Sequence, residues 1–179
     1  MKLTRRKLEI VATAAKLFRK KGYNAVSMRD LAQALEIKAA SLYNHINSKQ
    51  EILGIIILDV AENFTQHMNS VSPENISSIK KLESVIENHI QITIEKTDAL
   101  ACLNNDWMHL EKLDLENYLM MRNTYEAKMR NIIEQGIQQK ELQERNIDLV
   151  LFSLLSTLRT LHLWYSKNKE VSPQLLFEE

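Results

Sequence analysis

Glycine occurs 3 times, proline 2 times and cysteine once in 179 residues. So little turn-forming material excludes the many tight turns of a β-sandwich or barrel, and the chain is expected to be all-α. A single cysteine, Cys102, can neither close an intramolecular disulfide nor build a cysteine metal site. It suits a reducing compartment and reads as a small buried hydrophobe. Long apolar runs are also missing: the longest, Ile52 to Leu58, stops at Asp59, far short of the roughly 20 residues of a bilayer-spanning helix. No transmembrane segment is expected. Glu9 and Lys16 interrupt the basic N-terminus and no small-residue cleavage site follows, so no signal peptide is expected and residence is expected to be cytoplasmic.

What is present has the balance of a globular domain, 45% hydrophobic and 26% charged. The formal net charge of +0 seems to speak against a nucleic-acid partner, but it hides a division. Residues 1–53 hold 11 Lys and Arg against 4 acids, net +7, and the other 126 residues hold 12 against 19, net −7. A basic head on an acidic body is the asymmetry expected when one part meets a polyanion.

Within the head, Leu8, Val11, Ala15 and Phe18 repeat at helical spacing, widened by Ile10, Ala14 and Leu17, and Lys20-Lys21-Gly22 stops the helix. Ser27 followed by Asp30 forms a capping box for a second helix from Met28 to about Leu35. After a break at Glu36-Ile37-Lys38, residues 39–46 form a short helix with Leu42 and Ile46 on one face. Ser48 and Glu51 then cap a long fourth helix, with Lys49 at its first position. Two short helices joined by a three-residue turn and pinned by a longer one make a helix-turn-helix.

The second short helix has the chemistry of a groove reader. Lys38 and Lys49 can neutralise phosphates, and Ser41, Asn44 and His45 can bond base edges or phosphate oxygens. Tyr43 can reach a phosphate with its hydroxyl, and small Ala39 and Ala40 permit close approach. Singly, Tyr43 also reads as a core-edge aromatic and His45 as a solvated surface residue.

These residues resemble the N-terminal domain of the TetR family of bacterial transcriptional regulators. The match runs through Ala14, Leu17-Phe18, Lys21-Gly22-Tyr23, Val26 to Ala32, Ser41-Leu42-Tyr43 and Ser48 to Leu53. The resemblance implies a three-helix DNA-binding head, a helical ligand-binding and dimerisation body, and a homodimer. It also implies that Ser27 and Arg29 touch backbone or bases, that Lys38, Ala39, Ser41, Tyr43, Asn44 and His45 are turn and recognition-helix contacts, and that Lys49 contacts a phosphate. Two positions depart from the pattern. Glu36 stands where Gly is usual, at a backbone position that often wants positive φ, and Ile46 replaces an aromatic.

The head is expected over residues 1–48 and the body over 49–179. In the body the fourth helix runs to about Asn69, ahead of a linker at Ser70-Val71-Ser72-Pro73. Residues 76–96 read as helix, although Ile90, Ile92 and Ile94 also alternate like a strand. A short helix follows Asp98, and a long one spans about Asp114 to Lys140. Residues 146–166 are apolar around nearly the whole circumference, so this helix is expected to pack its own core and a second copy. Leu151, Leu155, Leu158 and His162 are the expected interface residues. Trp107, Met108, Met120, Met121, Tyr125, Phe152 and Trp164 are expected to line an effector pocket, each also readable as core packing. Trp164-Tyr165 and Val171-Ser172-Pro173 resemble the C-terminal signature of TetR members that respond to acyl-coenzyme A thioesters.

An enzyme would need a constellation that is not found: no Gly-rich phosphate loop, nucleophile elbow or His-Glu-x-x-His occurs. Asp106-x-x-His109 with Glu111 is a single carboxylate–histidine pair, whereas bundle metal sites repeat it. Neither a metal nor a cofactor is expected. The function read here is a homodimeric repressor, released from a palindromic operator by a small apolar or amphipathic effector, an acyl-coenzyme A among the candidates. The alternative keeps the DNA-binding head and has a protein partner, in place of a small molecule, control it.

Overall fold

The computed structural model describes residues 3–71, 76–168 and 170–178; Ser72 and Pro73 of the expected linker lie outside them. Described residues form helices and no strand. The helices are α1 (Arg5–Lys21), α2 (Met28–Ala34), α3 (Ala39–Tyr43), α4 (Lys49–Ser70), α5 (Ser78–Glu95), α6 (Thr97–Asp106), α7 (Lys112–Gln138), α8 (Ile147–Lys167) and α9 (Pro173–Glu178), with a 3₁₀ turn at Trp107–His109 after α6. The alternation at residues 90–94 is thus helical. Ile90, Ile92 and Thr93 are all buried, as happens where a helix is covered over a wide arc.

The chain divides into two compact units, one formed by Met1–Val60 and Asp98–Tyr118, the other by Ala61–Thr97 and Leu119–Glu179. In the first unit Ile10, Ala14 and Phe18 of α1, Leu31 of α2, Leu42 of α3 and Ile46 are all nearly inaccessible. Leu8, expected in the α1 stripe, is 53% exposed instead. Ile10, Ala14 and Phe18, spaced four apart, already fill that face. Ile46 is buried, so an aliphatic residue serves where the family pattern has an aromatic one.

The second unit is built around Met68, Val85, Met129, Ile133, Leu151 and Leu155. Leu151, Leu155, Leu158 and His162 of α8, expected at an interface with another copy, are buried within this single chain. Their 4-3-4 spacing makes the one stripe that the unit's own core requires. The exposed apolar residues of α8 are Leu149, Phe152, Leu163 and Trp164; Phe152 is 70% exposed. By length and composition α8 is also apolar enough to cross a membrane, which a search for uninterrupted runs misses because Asp148 and Arg159 punctuate it. Arg159 pairs with Glu126 at 2.5 Å, and the inner stripe of α8 is committed to protein.

Candidate nucleic-acid interface

α1 ends where the sequence places its stop: Gly22 has φ +86° and its N–H bonds the Phe18 carbonyl at 2.7 Å. The capping box of α2 is complete. The Asp30 N–H donates to Ser27 Oγ at 3.2 Å, and Asp30 Oδ2 accepts the Ser27 N–H at 2.7 Å. The Ser27 hydroxyl also donates to Asp30 Oδ2 at 2.5 Å, and this bond, with that from the Ser27 N–H, holds the Asp30 carboxyl below the ordinary carboxylate range. Ser27 and Arg29 stay exposed at the N-terminal end of α2.

The turn between α2 and α3 is made at Glu36, whose φ is +55°. The missing glycine noted in the sequence therefore corresponds to a left-handed residue that carries a side chain. Lys38 takes the N-cap position of α3 and is exposed. Leu42 and Ile46 anchor the region from below, so Ala40, Ser41, Tyr43, Asn44 and His45 all face solvent, Tyr43 at 52%. Ala39 is half-buried. The structure thus sets eight of the nine expected DNA contacts along α2, the turn and the short α3, with their polar groups outward or at the rim.

Lys49 is the exception. Its Nζ donates to the carbonyls of Tyr23 at 3.0 Å and Val26 at 2.9 Å, and lies 4.1 Å from the centroid of the Tyr23 ring. The adjoining Glu51 accepts from Lys7 Nζ at 2.5 Å and from the Asn47 N–H at 2.7 Å. Burial pushes its pKa up, but these bonds prevail and leave it lowered.

The Asp106-x-x-His109 pair is built into packing. His109 stacks on Tyr23 with centroids 5.4 Å apart and lies 3.4 Å from Asn24 Nδ2. Asp106 accepts a bond from the Tyr23 backbone, and burial raises its pKa. Among the described residues no group of three His, Cys, Asp or Glu side chains is placed to hold a metal ion. Cys102 is buried, its thiol pushed up to about 12 chiefly by desolvation.

The seven expected pocket residues fall in both units. Trp107 and Met108 belong to the first unit, Met108 being exposed. In the second unit Tyr125 is buried, Met121 half-buried, and Met120, Phe152 and Trp164 exposed. What surrounds Tyr125 was not foreseen. Its hydroxyl lies 2.8 Å from His89 Nε2, and Phe64 packs on the imidazole with centroids 4.4 Å apart. Full burial drives the His89 pKa down to about 3, so the ring is neutral. The sequence signal was a histidine in an apolar register of α5. Buried polar atoms of the same unit without a hydrogen-bond partner include Asn88 Nδ2, Thr93 Oγ1 and His67 Nδ1. An open groove of about 620 Å³, lined by Arg145, Asn146, Leu149, Val150, Ser153, Leu154 and Thr157, contains none of the seven.

A three-helix head that presents a short polar helix beside a basic surface, joined to a second all-helical unit, defines a helix-turn-helix DNA-binding regulator. Residues 10–54 match the bacterial regulatory proteins of the tetR family, and residues 75–179 match the tetracyclin repressor-like C-terminal domain. The chain belongs to the TetR family of transcriptional regulators; it is not an enzyme. Among curated relatives, the HTH-type transcriptional repressor KstR2 of Rhodococcus jostii (strain RHA1) is 23% identical over 169 residues, covering 93% of this chain and 83% of that protein. Among solved structures, the TetR family regulator PfmR from Thermus thermophilus is 27% identical with a TM-score of 0.82, covering 94% of this chain and 92% of that one. The fold is shared also with AibR in complex with isovaleryl coenzyme A and operator DNA, 19% identical with a TM-score of 0.82, covering 97% and 95%.

Proposed function

We propose that the chain is a homodimeric repressor, acting in the cytoplasm where its DNA lies, whose two α3 helices enter successive major grooves of a pseudo-palindromic operator about 34–36 Å apart. The observation that carries this reading is the solvent-facing set on α3, Ser41, Tyr43, Asn44 and His45, above the buried anchors Leu42 and Ile46. Ser27, Arg29, Lys38 and Ala39 complete the contact set. The exposed apolar face of α8, with Leu149, Phe152, Leu163 and Trp164, supports a second copy as its cover.

The effector is an amphipathic acyl-coenzyme A thioester whose acyl part enters the second unit. The isovaleryl coenzyme A in the AibR complex supports the ligand class, and the buried Asn88, Thr93 and His67 atoms without partners support a ligand with hydrogen-bonding groups. An effector that prefers a conformation with the wrong head spacing, with a coupling of about 1–3 kcal/mol, loosens the operator by roughly 5- to 150-fold. The test is to enrich an operator from source-genome fragments with the full chain, then titrate the complex with isovaleryl-, hexanoyl- and palmitoyl-coenzyme A. Release by one of them supports the reading. Retention with all three, together with no thermal shift of the free protein, refutes an acyl-coenzyme A effector.

A further inference from the structure

We propose that the Thr93 hydroxyl binds the carbonyl oxygen of the effector's acyl part, donating a hydrogen bond to it from the face of α5 that also carries His89. The inference deepens the reading of an acyl-coenzyme A effector and rests on it. Thr93 is 0% exposed, and its Oγ1 has no hydrogen-bond partner among the described residues. A hydroxyl in that state has given up water and gained nothing in return, which folded proteins seldom tolerate except where a ligand or an ordered water completes the site. Asn88 Nδ2 and His67 Nδ1 also have no partner, but both residues are half-buried, whereas Thr93 is closed off entirely.

A helical threonine has a ready remedy, the carbonyl four residues earlier. Thr65, Thr97, Thr157 and Thr160 all take it, donating to the carbonyls of Ala61, Thr93, Ser153 and Ser156 at 2.8, 2.5, 3.0 and 2.9 Å. Thr93 leaves that bond unmade, although His89 stands four residues before it. What shares its face of α5 is polar as well. His89 lies one turn back, about 6 Å along the helix axis. Its Nε2 is 2.8 Å from the Tyr125 hydroxyl, and Phe64 packs on the imidazole. Burial lowers the His89 pKa to about 3 and raises that of Tyr125, so both side chains are neutral. A neutral hydroxyl near a neutral pair and an aromatic ring suits an uncharged acceptor carried on an apolar chain, which is what an acyl carbonyl is.

A coenzyme A thioether carries the same chain and nucleotide as the thioester but lacks the carbonyl oxygen. Isothermal titration calorimetry with the full chain compares isovaleryl-, hexanoyl- and palmitoyl-coenzyme A, each with the thioether of the same chain. For at least one pair we expect the wild type to prefer the thioester by about tenfold. Thr93→Val keeps the shape and removes the hydroxyl. Its preference is expected to fall below about threefold through weaker binding of the thioester, with the thioether bound as before. Thr93→Ser, which keeps the hydroxyl, is expected to keep the preference. Because the hydroxyl has no partner to lose, the ligand-free Val variant is expected to melt at or above the wild-type temperature. Equal binding of both members of every pair by the wild type, an unchanged preference in the Val variant, or a Val variant that melts well below the wild type overturns the proposal and leaves the acyl-coenzyme A reading standing. Binding of neither member of any pair removes that reading itself, and the role of Thr93 with it.

Discussion

Glu36 holds a left-handed conformation at φ +55°, where a side chain costs about 1–2 kcal/mol relative to a right-handed one. Glycine adopts that conformation freely but brings about 0.5–1 kcal/mol of extra unfolded-chain entropy. Glu36→Gly is therefore expected to stabilise the protein by about 0.5–1 kcal/mol, read as a higher urea midpoint at unchanged m. It also removes an exposed acid from the turn proposed to face DNA, so affinity for any duplex should rise. A lower midpoint would show that the Glu36 side chain makes a stabilising contact. His89 gives a prediction in pH. Its folded pKa of about 3 lies below the ordinary histidine value of 6.5, so the unfolded chain binds a proton that the native one refuses. Its stability contribution is complete above pH 6.5 and is lost as pH falls, by about 1.4 kcal/mol per unit, down to about 3. Asp30 and Glu51, both lowered, lose theirs only as pH drops through the carboxylate range. A melting temperature that falls between about pH 6.5 and 5, and falls less in His89→Gln, checks the assignment; equal pH dependence in the two proteins would reject it.

Close approach governs the element scale. A Cβ on Gly136 of α7 would stand 2.7 Å from Leu142 Cδ1 and 2.9 Å from Ser78 Cβ, so it would collide with both the start of α5 and the chain that follows α7. Ser78 Cβ is attached to backbone and cannot swing away. Gly136→Ala is expected to destabilise by about 1–3 kcal/mol through overpacking, although alanine favours helix by about 1 kcal/mol. Thermal unfolding of the variant decides between the two effects, and a melting temperature at or above wild type would mean that the junction yields. At Gly54 of α4 the nearest atom is Asp114 Oδ2, the end of a flexible side chain, so the same change there is expected to be mild. Ser27 shows how an element is set by its first residues: both bonds of its capping box form as the Ser27-to-Asp30 spacing indicates.

At the scale of the whole molecule, the proposed dimer rests on the outer face of α8. Phe152 is 70% exposed and makes no part of the core of the second unit. Phe152→Glu is therefore expected to leave the melting transition of a single chain little changed while converting a dimer to monomers, measured by sedimentation at micromolar concentration. A wild type that sediments as a monomer would refute the proposed dimer outright. Because an operator with two half-sites needs both heads, the Glu variant should also lose affinity for it far more than for an arbitrary duplex.

The sequence alone determined what rests on neighbours in the chain. Scarce glycine and proline make it helical; Gly22, the Ser27–Asp30 box and the unusual Glu36 mark the head; the outward polar set of α3 follows from Leu42 and Ile46 being anchors. These depend on spacings of a few residues and on backbone preferences, which are local properties. Tertiary structure decided what depends on which faces meet. A helix apolar all round does not say which stripe its own fold will use, so Leu151, Leu155, Leu158 and His162 went inward and Phe152 and Trp164 outward. Asp98–Tyr118 joined the unit of the head across the intervening Ala61–Thr97, so Trp107 and Tyr125 belong to different units. Lys49, placed by its position in a motif, found two carbonyls from a turn far earlier in the chain, because a flexible cation binds the nearest acceptors that folding brings within reach.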